Sequence, residues 1–300
     1  MSGAAARTPR ILVILPVHNR RATTALFIRS LLAQSYTNWH LLLIDDGSTD
    51  GTADMVRGLV SSLTVLCGDG NWWWGGALHQ GYLWLKRHPD HHADLVLIIN
   101  DDTEFLPDFL EHAVRKAEPR SLLLAQLYNQ AGEFVEAGVR LDWRKLDSIS
   151  VKETVGLNCL STRGLFLWAR DFLEIGGFYP VLLPHYLSDY EFTMRAHRKG
   201  FALMSSPDVR LRYNEQLTGI RNQDGLSVFQ HIKTGLSIKS TSNPVYWTSF
   251  ILLACPWRYV FINIVVVWWN LVSPIISRLW LYQIMRRVYR KVRRRRVVNS

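Results

Sequence analysis

Two adjacent carboxylates, Asp101 and Asp102, end an unbroken apolar run in the first half of the chain. The run, Asp94–Asn100, is rich in Leu, Val and Ile without polar alternation, which is typical of a strand covered on both faces in a parallel sheet. Open α/β sheets bind ligands beyond the carboxyl ends of their strands, so we expect these acids to face a ligand. Their oxygens suit Mg²⁺ or Mn²⁺, with a phosphate completing the shell. The alternative is a solvated turn in which Asp102 or Thr103 caps the next helix.

A second acidic pair, Asp45 and Asp46, follows another apolar run, Trp39–Ile44. Because both pairs end strands of one predicted parallel sheet, they are expected at the same edge of that sheet. Carboxylates at that density need a metal or another cation nearby. The two pairs together therefore favour a ligand site over helix capping.

The elements that must position these acids alternate between strand and helix patterns. The predicted strands of the first half are Ile11–Leu15, Trp39–Ile44, Leu63–Leu66 and Asp94–Asn100, and a predicted helix, Leu106–Ala117, follows them. This alternation predicts an α/β fold with a mostly parallel sheet flanked by helices. Between Ser121 and Val155 the pattern is shorter and mixed, which indicates an antiparallel addition. Further on, the predicted elements are a strand ending at Trp168, helices at Asp171–Ile175 and after Asp189, and a strand at Phe201–Ser205.

Composition limits the class of protein. The chain has 300 residues, of which 48% are hydrophobic, enough to bury a large core. Its three cysteines form no CxxC pair, which argues against a disulfide framework or a zinc site and suits a reducing compartment. The first ten residues lack the apolar core of a secretory signal, so we expect a cytoplasmic location.

The C-terminal segment predicts membrane association. Between Ser240 and Ser277 the only charged residue is Arg258, and the run Arg286–Arg296 carries most of the formal net charge of +10. A single span at Tyr259–Ser277 would carry that basic tail outward, against the positive-inside tendency. We therefore predict helices lying in the membrane interface, with the tail on anionic lipid. The predicted domains are 1–238, which is catalytic, and 239–300, which associates with the membrane.

Several ordered motifs carry a resemblance to a known family. They are Pro16–Asn19, Ile44–Gly51, Asn100–Thr103, Gly176–Phe178 and Ser188–Glu191. With these motifs the chain resembles, over roughly residues 9 to 215, the inverting nucleotide-sugar glycosyltransferases of family 2, which have the GT-A (Rossmann-like) fold. The loop Asn71–Gly76 is similar to one in bacterial members that build surface polysaccharides, including rhamnosyltransferase-like ones.

The resemblance implies a role for each matched residue. The implied donor-binding residues are Pro16, His18, Asn19, Asp45, Asp46, Asn71, Trp74 and Asp101. Asp102 would reach a divalent metal, Mg or Mn, and Asp189 would be the general base. The implied acceptor-side residues are Gly164, Gly177, Phe178 and Glu191. From the residues alone, Asp189 could instead be the N-cap of the following helix, and Glu191 could be structural.

The implied activity is metal-dependent, inverting transfer of a hexosyl or deoxyhexosyl group from a UDP- or dTDP-sugar. The implied acceptor is a hydroxyl of a lipid-linked saccharide at the cytoplasmic face of the inner membrane. The expected partners are therefore the nucleoside-diphosphate sugar, that acceptor and an anionic membrane surface, with no nucleic acid. Ser188 stands where the family has Glu, which gives some weight to the alternative of a non-catalytic, membrane-bound nucleotide-sugar or saccharide binding protein. A nucleotidyltransferase would need a Gly- and Lys-rich loop that Leu15–Thr23 lacks.

Two aromatic clusters complete the sequence predictions. Three adjacent tryptophans, Trp72–Trp74, cannot all face one ligand, so at least one is predicted to pack in the core. His88, His91 and His92 lie in a polar stretch and are predicted to be solvated surface side chains rather than metal ligands.

Overall fold

The computed structural model describes residues 8–151, 156–213 and 228–298 of the chain. The chain divides into two compact units, Met1–Ile220 and Arg221–Ser300. The predicted domain boundary between residues 238 and 239 stays a prediction about where the catalytic part ends.

The first unit contains eleven described strands and six described α-helices. The strands are β1 (Ile11–Val17), β2 (Trp39–Asp45), β3 (Leu63–Cys67), β4 (Leu95–Ile98), β5 (Thr103–Glu104), β6 (Ser121–Tyr128), β7 (Phe134–Glu136), β8 (Val139–Asp142), β9 (Asp147–Ser150), β10 (Leu165–Trp168) and β11 (Ala202–Tyr213). The helices are α1 (Arg21–Leu32), α2 (Thr52–Leu59), α3 (Trp73–Arg87), α4 (Phe109–Lys116), α5 (Ala169–Ile175) and α6 (Ser188–Arg198). The predicted strand at Phe201–Ser205 is longer than expected, because β11 continues to Tyr213.

The main sheet has the order β3-β2-β1-β4-β10-β6-β11-β5, and β7 pairs with β6. Strands β3, β2, β1 and β4 are parallel, and β6 is parallel to β11. Strand β10 is antiparallel to both β4 and β6, and it joins the two parallel groups. The predicted α/β class, with a mostly parallel sheet and an antiparallel addition, is confirmed.

Helices cover both faces of this sheet. On β1, Val13 and Leu15 belong to the buried layer formed with α1, α2 and α4. Leu12 and Ile14 face the opposite layer, formed with α3, α5 and α6. Alternate residues of each central strand are therefore buried on opposite faces, which explains why the strands have unbroken apolar sequences.

The loops that could bind a ligand meet at the carboxyl edge of β1, β2 and β4. Strand β10 runs antiparallel to β4, with Leu165 opposite Ile98, so residues 158–164 lie at this same edge. Strand β6 also ends there, and the chain returns as β7, in which Glu136 pairs with Leu127. The topology thus brings residues from distant parts of the sequence to one end of the sheet.

The second unit contains three described helices, α7 (Val228–Gly235), α8 (Pro244–Ala254) and α9 (Trp257–Val298). Asn243 begins α8, since its side-chain oxygen accepts the N–H of Val245 at 2.9 Å. Helix α8 packs against α9, where Trp268 Nε1 donates to Thr248 Oγ1 at 3.0 Å. One described segment of α9, Trp257–Ser277, is long and apolar enough to cross a bilayer, by length and composition only.

The glycine directly before β10, Gly164, lies where the sheet is tightly packed. Gly164 has φ +81°, and a Cβ there would overlap Leu211 and approach Ala125 Cβ to 3.2 Å. We expect Gly164→Ala to lower the free energy of unfolding by roughly 2 to 4 kcal/mol, because backbone strain and overpacking add together. Urea unfolding followed by circular dichroism measures this loss.

The matched control is Gly132→Ala, because Gly132 has φ +80° and no atom within 4 Å of a built Cβ. This substitution should lower the free energy of unfolding by about 1 kcal/mol, which is the cost of backbone strain alone. Equal losses in the two variants would contradict the packing argument at Gly164.

Candidate active site

The loops that follow β1 and β2 form one wall of the candidate site, at the carboxyl edge of the sheet. His18 Nδ1 lies 2.5 Å from the carbonyl oxygen of Asp46, and its Nε2 lies 3.1 Å from Asn19 Nδ2. Asn19 Oδ1 accepts the N–H of Thr49 at 2.8 Å, which ties the β1 loop to the β2 loop. The His18 side chain is exposed, so one face of its ring is available for stacking on a base. Pro16, opposite Ile44 in β2, directs the chain into this wall.

The two acids that end β2 are bonded differently. Asp45 Oδ1 accepts the N–H of Ser48 at 2.9 Å and closes its own turn. Asp46 accepts three backbone N–H groups of the next loop, from Gly70 at 2.9 Å, Trp72 at 2.9 Å and Trp73 at 3.0 Å. Both oxygens of Asp46 are engaged, so this carboxylate anchors the Gly/Trp loop, and any contact it makes with a base would be additional.

The Gly/Trp loop is also fixed by the groups around it. A Cβ on Gly68 would lie 2.6 Å from Asp46 Oδ1, so the close approach of the loop requires glycine there. Trp72 and Trp74 pack against the buried layer of α3, α5 and α6, as predicted for at least one of the tryptophans. Trp74 Nε1 also donates to Thr162 Oγ1 at 3.0 Å. Asn71 is exposed at the tip of the loop.

The acids that follow β4 contact a guanidinium group. Arg20 Nε lies 2.8 Å from Asp101 Oδ1, and Arg20 Nη2 lies 3.8 Å from Asp102 Oδ2. Thr24 Oγ1 donates to Asp101 Oδ2 at 2.8 Å. Burial raises the pKa of Asp101, while Arg20 and Thr24 oppose that rise. The cation that the acidic loops require is therefore present in the chain, at least for Asp101.

Asp102 differs from Asp101 because its Oδ1 is buried and has no hydrogen-bond partner. An unpartnered buried carboxylate oxygen is costly unless a ligand completes it, and it fits a single contact with a hard cation. Among the residues that the structure describes, no group of three or more His, Cys, Asp or Glu side chains could hold a metal ion. The remaining ligands of such a cation would have to come from a diphosphate and water. The capping alternative is wrong, because Asp108 is the N-cap of α4.

Asp189 lies in the first turn of α6 at the same edge. The N-cap of α6 is Leu187, which has φ 68°, so the N-cap alternative for Asp189 is wrong. Burial raises the pKa of Asp189 to about 6, and hydrogen bonds from backbone N–H groups of Tyr190 and Asp189 only partly offset it. A carboxylate with that pKa can accept a proton at neutral pH, as a general base requires.

The other residues predicted on the acceptor side support the site from beneath. Glu191 is 1% exposed and makes two bonds to Arg195, at 2.9 and 3.0 Å. Arg195 also donates to the carbonyl oxygens of Ile175 and Gly177, at 2.6 and 2.8 Å. Of the two alternatives left open for Glu191, the structure therefore favours the structural one.

Phe178 and Gly164 are buried, and Gly177 is half-buried. The Phe178 ring is 2% exposed and stacks on Phe192 at 4.6 Å. A Cβ on Gly177 would approach His79 Nδ1 to 2.5 Å. Gly164 is enclosed by Leu211 and Ala125, so Gly164 and Phe178 could affect an acceptor only indirectly. The acceptor-side role of Gly177 stays a prediction.

The prediction that His88, His91 and His92 are solvated surface side chains is wrong for His91, while His88 and His92 are half-buried. His91 is 5% exposed, and its Nδ1 lies 2.7 Å from Asp94 Oδ2, which Arg10 Nε also contacts at 2.8 Å. Its ring packs edge-on to Trp84 at 4.8 Å. His91 is therefore a buried structural side chain, because the aromatic face of α3 and the start of β4 enclose it.

Sequence reasoning missed three charged residues of the site, which are Arg20, Glu136 and Arg163. Arg20 follows the β1 loop directly, and β1 lies between β2 and β4 in the sheet, but no pattern along the chain pairs it with Asp101. Glu136, on β7, interacts electrostatically with Asp189. No local motif marks Glu136, because only the pairing of β7 with β6 brings it to this edge.

Comparison with known proteins is consistent with this geometry. The sequence profile described as "Glycosyl transferase family 2" matches residues 12–165. The putative glycosyltransferase EpsE of Bacillus subtilis (strain 168) is 52% identical over 49 residues, which are 16% of this chain and 18% of EpsE. The putative teichuronic acid biosynthesis glycosyltransferase TuaG of the same strain is 39% identical over 49 residues, 16% of this chain and 19% of TuaG. The matched segments thus span under a fifth of each curated relative.

Solved structures share the fold. The mannosyltransferase PcManGT from Pyrobaculum calidifontis, in complex with GDP-Man and Mn²⁺, has a TM-score of 0.52 at 17% identity, covering 93% of this chain and 81% of that one. Residues 1–349 of S. aureus TarS, in complex with UDP-GlcNAc, have a TM-score of 0.53 at 16% identity, covering 81% and 71%. At these identities the likeness establishes the GT-A fold, as predicted.

The raised pKa of Asp189 predicts a pH-dependent stability. A carboxyl whose pKa rises on folding from 3.8 to about 6 destabilises the folded state when ionised. Asp189→Asn should therefore increase the unfolding free energy at pH 7.5 by roughly 1 to 3 kcal/mol, and the gain should disappear as pH falls through 6 towards 4. Urea unfolding at pH 7.5 and pH 4.5 measures both values.

Asp54→Asn is the control, since the Asp54 side chain is 83% exposed. Its effect should stay within about 0.5 kcal/mol at both pH values. A loss of stability in Asp189→Asn at pH 7.5 would show that the ionised carboxylate is well compensated and would contradict the assignment.

Proposed function

The chain belongs to glycosyl transferase family 2, and on that premise we propose that it transfers a sugar from a nucleoside-diphosphate donor to an acceptor hydroxyl with inversion. One observation carries this proposal. Asp189, with its pKa raised to about 6, lies at the same sheet edge as the unpartnered oxygen of Asp102. A base and a hard anionic ligand on one edge match the two needs of sugar transfer, which are proton removal and stabilisation of the leaving group.

The donor would bind across the ends of β1, β2 and β4. His18 and Pro16 would contact the base, and Asn19 and Asp45 would define the nucleoside pocket between the β1 and β2 loops. Asp101, held by Arg20, would face the ribose. Asn71 at the exposed loop tip and Trp74 would lie beside the sugar. We propose a UDP- or dTDP-sugar, carrying a hexosyl or deoxyhexosyl group such as rhamnosyl.

A divalent cation, Mg or Mn, would be held by Asp102. When bound, it supplies positive charge that offsets the charge developing on the departing diphosphate. The fit rests on the free Oδ1 of Asp102 and on the hardness of carboxylate oxygen as a ligand. Arg20 keeps Asp101 paired, so that Asp102 alone presents an oxygen to the cation.

The chemistry of the chain centres on Asp189. The acceptor oxygen forms a bond to the anomeric carbon while the bond from that carbon to the diphosphate oxygen breaks with its electron pair. The hydroxyl proton passes to the Asp189 carboxylate. Because one displacement occurs and the protein forms no covalent bond, the anomeric configuration inverts.

The acceptor is proposed to be a lipid-linked saccharide used in cell-surface polysaccharide synthesis. Helix α9 supports this, because Trp257 is 89% exposed and Phe261 is 81% exposed, while Trp257–Ser277 is apolar. Exposed aromatic side chains on an apolar helix favour the membrane interface. The protein would then work at the cytoplasmic side of the inner membrane, peripherally or as a monotopic protein.

A donor screen tests the proposed function. UDP-, dTDP- and GDP-sugars are added with Mn²⁺, Mg²⁺ or EDTA, and thermal stability and sugar release are measured. We expect one nucleotide class to stabilise the wild type only with metal. Asp189→Asn should keep that stabilisation but lose turnover by about 10²- to 10⁴-fold, because the proton acceptor is removed. Asp102→Asn should lose the metal-dependent part of the stabilisation.

The Asp54→Asn variant, altered on an exposed face of α2, should behave as wild type in both assays. If a donor stabilises the wild type but the wild type shows no turnover for Asp189→Asn to abolish, the result would support the binding-protein alternative. No stabilisation of well-folded protein by any donor would contradict the transferase proposal.

Vesicle flotation tests the membrane proposal. We expect the full chain to float with vesicles containing phosphatidylglycerol and to float less with neutral vesicles at the same salt. A Trp257→Ser, Phe261→Ser double variant should weaken binding by roughly tenfold or more, because each buried apolar side chain contributes about 1.5 to 3 kcal/mol.

Val181→Ser is the control, since Val181 in the first unit is 86% exposed and should not affect flotation. Release from vesicles by alkaline carbonate would support interfacial helices, whereas retention would support a span. Equal flotation of the double variant and the control would contradict a membrane role for the aromatic side chains of α9.

A further inference from the structure

Asp189 is surrounded by ionisable groups from two other parts of the fold and from its own helix. Glu136 on β7 and Arg163 in the segment before β10 both interact electrostatically with it. Cys159, also before β10, and Tyr190, next to it on α6, do so as well. Burial raises the pKa of the Cys159 thiol and of the Tyr190 hydroxyl well above their ordinary values. Both are therefore neutral at physiological pH, and the charge around Asp189 comes from Glu136 and Arg163.

Strand β7 and its neighbours fix the position of Glu136. Glu136 pairs with Leu127 near the end of β6, at the carboxyl edge. Ser150 Oγ donates to Glu136 Oε2 at 3.4 Å, and Ser161 adds a second side-chain hydrogen bond. The adjacent Ala137 donates its N–H to the carbonyl oxygen of Val151 at 3.0 Å. Glu136 is thus held on both sides and is not a mobile surface acid.

The segment 158–163 links Glu136 to Asp189. Val139 donates its N–H to the carbonyl oxygen of Cys159 at 3.0 Å, which joins this segment to the strand that follows β7. One residue on, Thr193 Oγ1 accepts the N–H of Leu160 at 2.9 Å and contacts the carbonyl oxygen of Asp189 at 3.0 Å. These bonds tie the backbone that follows Glu136 to the backbone that carries Asp189.

We infer that Glu136 is a positioning residue for Asp189, and that Glu136, Arg163 and Asp189 form one charge cluster that sets when Asp189 can accept the acceptor's proton. This inference rests on the proposed function, in which Asp189 is the base. With both acids ionised and Arg163 charged, the cluster carries one net negative charge. Uptake of the proton from the acceptor hydroxyl makes it neutral, so the cluster favours the transfer.

The signs of the electrostatic effects agree with this cluster. Glu136 is one cause of the raised pKa of Asp189, while Arg163 acts in the opposite direction. Burial raises the pKa of Glu136 too, and Arg163 again opposes the rise. Two carboxylates that share a site raise each other's pKa, because both cannot easily be ionised together. A nearby cation reduces that rise.

The pH dependence of kcat/KM separates this role from a structural one. Activity should fall on the acidic side as Asp189 becomes protonated. Glu136→Gln removes a negative charge and should move this acidic limb to lower pH by roughly 0.5 to 1 unit, whereas Arg163→Gln should move it upward. Glu136→Asp keeps the charge and should keep the limb near its wild-type position.

Glu133→Gln is the matched control, because Glu133 is an exposed acid in the turn before β7 that bonds to Asn129 at 2.9 Å. Its acidic limb should equal that of the wild type. The inference would be overturned if Glu136→Gln lowered activity without moving the acidic limb. It would also be overturned if Glu136→Gln and Arg163→Gln moved the acidic limb in the same direction.

A second measurement does not depend on turnover. The ¹³C carboxyl resonance of Asp189, assigned as the one missing from Asp189→Asn, is titrated in the wild type and in Glu136→Gln. We expect its pKa to fall in Glu136→Gln, and an unchanged titration would overturn the inference. If no donor is used at all, the proposed function fails, while this titration still decides whether Glu136 and Asp189 are coupled.

Discussion

The bonding of one buried carboxylate, Asp46, to three backbone N–H groups is the interaction on which the rest of the site depends. A buried carboxylate is stable only if hydrogen bonds or cations replace its hydration, so the loop after β3 must close over it. That closure begins α3 at Trp73. Two residues later Gly75 donates its N–H to the carbonyl oxygen of Pro184 at 2.8 Å, in the segment that leads to Asp189. An acid at the end of β2 thus helps to position the candidate base on α6.

The acids at this edge differ in how their charge is compensated, and that difference separates fully paired carboxylates from those proposed to act on the substrate. Asp101 is paired with Arg20 and Thr24, and Glu191 is paired with Arg195. Asp102 retains an unpartnered oxygen, and burial raises the pKa of Asp189. A carboxylate that is already paired is stabilised little by a further ligand. A carboxylate whose charge is incompletely compensated is stabilised when it binds a cation or a proton.

The second unit has an opposite physical character. Its helices expose aromatic and aliphatic side chains, and the first half of α9, Trp257–Ser277, contains a single charged side chain, Arg258. Such a surface is unfavourable in water and favourable at a lipid interface. A soluble donor and an acceptor held in a bilayer would both suit a protein with these two units. The fold itself does not select the sugar or the acceptor, because those depend on side chains in the loops.

The amino-acid sequence was enough to predict the α/β class, the positions of the central strands and a common edge for the acids. Apolar periodicity is a local pattern, and the carboxyl ends of parallel strands lie at one edge of a sheet. The ordered motifs of the sequence also singled out Asp189 and Asp102, whose roles stay predictions. The sequence did not show that Asp46 anchors the Gly/Trp loop while Asp45 closes its own turn. It also did not predict that Phe178, Glu191 and His91 are buried. Those outcomes depend on packing between distant segments. Only the tertiary structure brought Arg20 to Asp101 and Glu136 to Asp189, since charge compensation depends on distance in space and leaves no periodic signal along the chain.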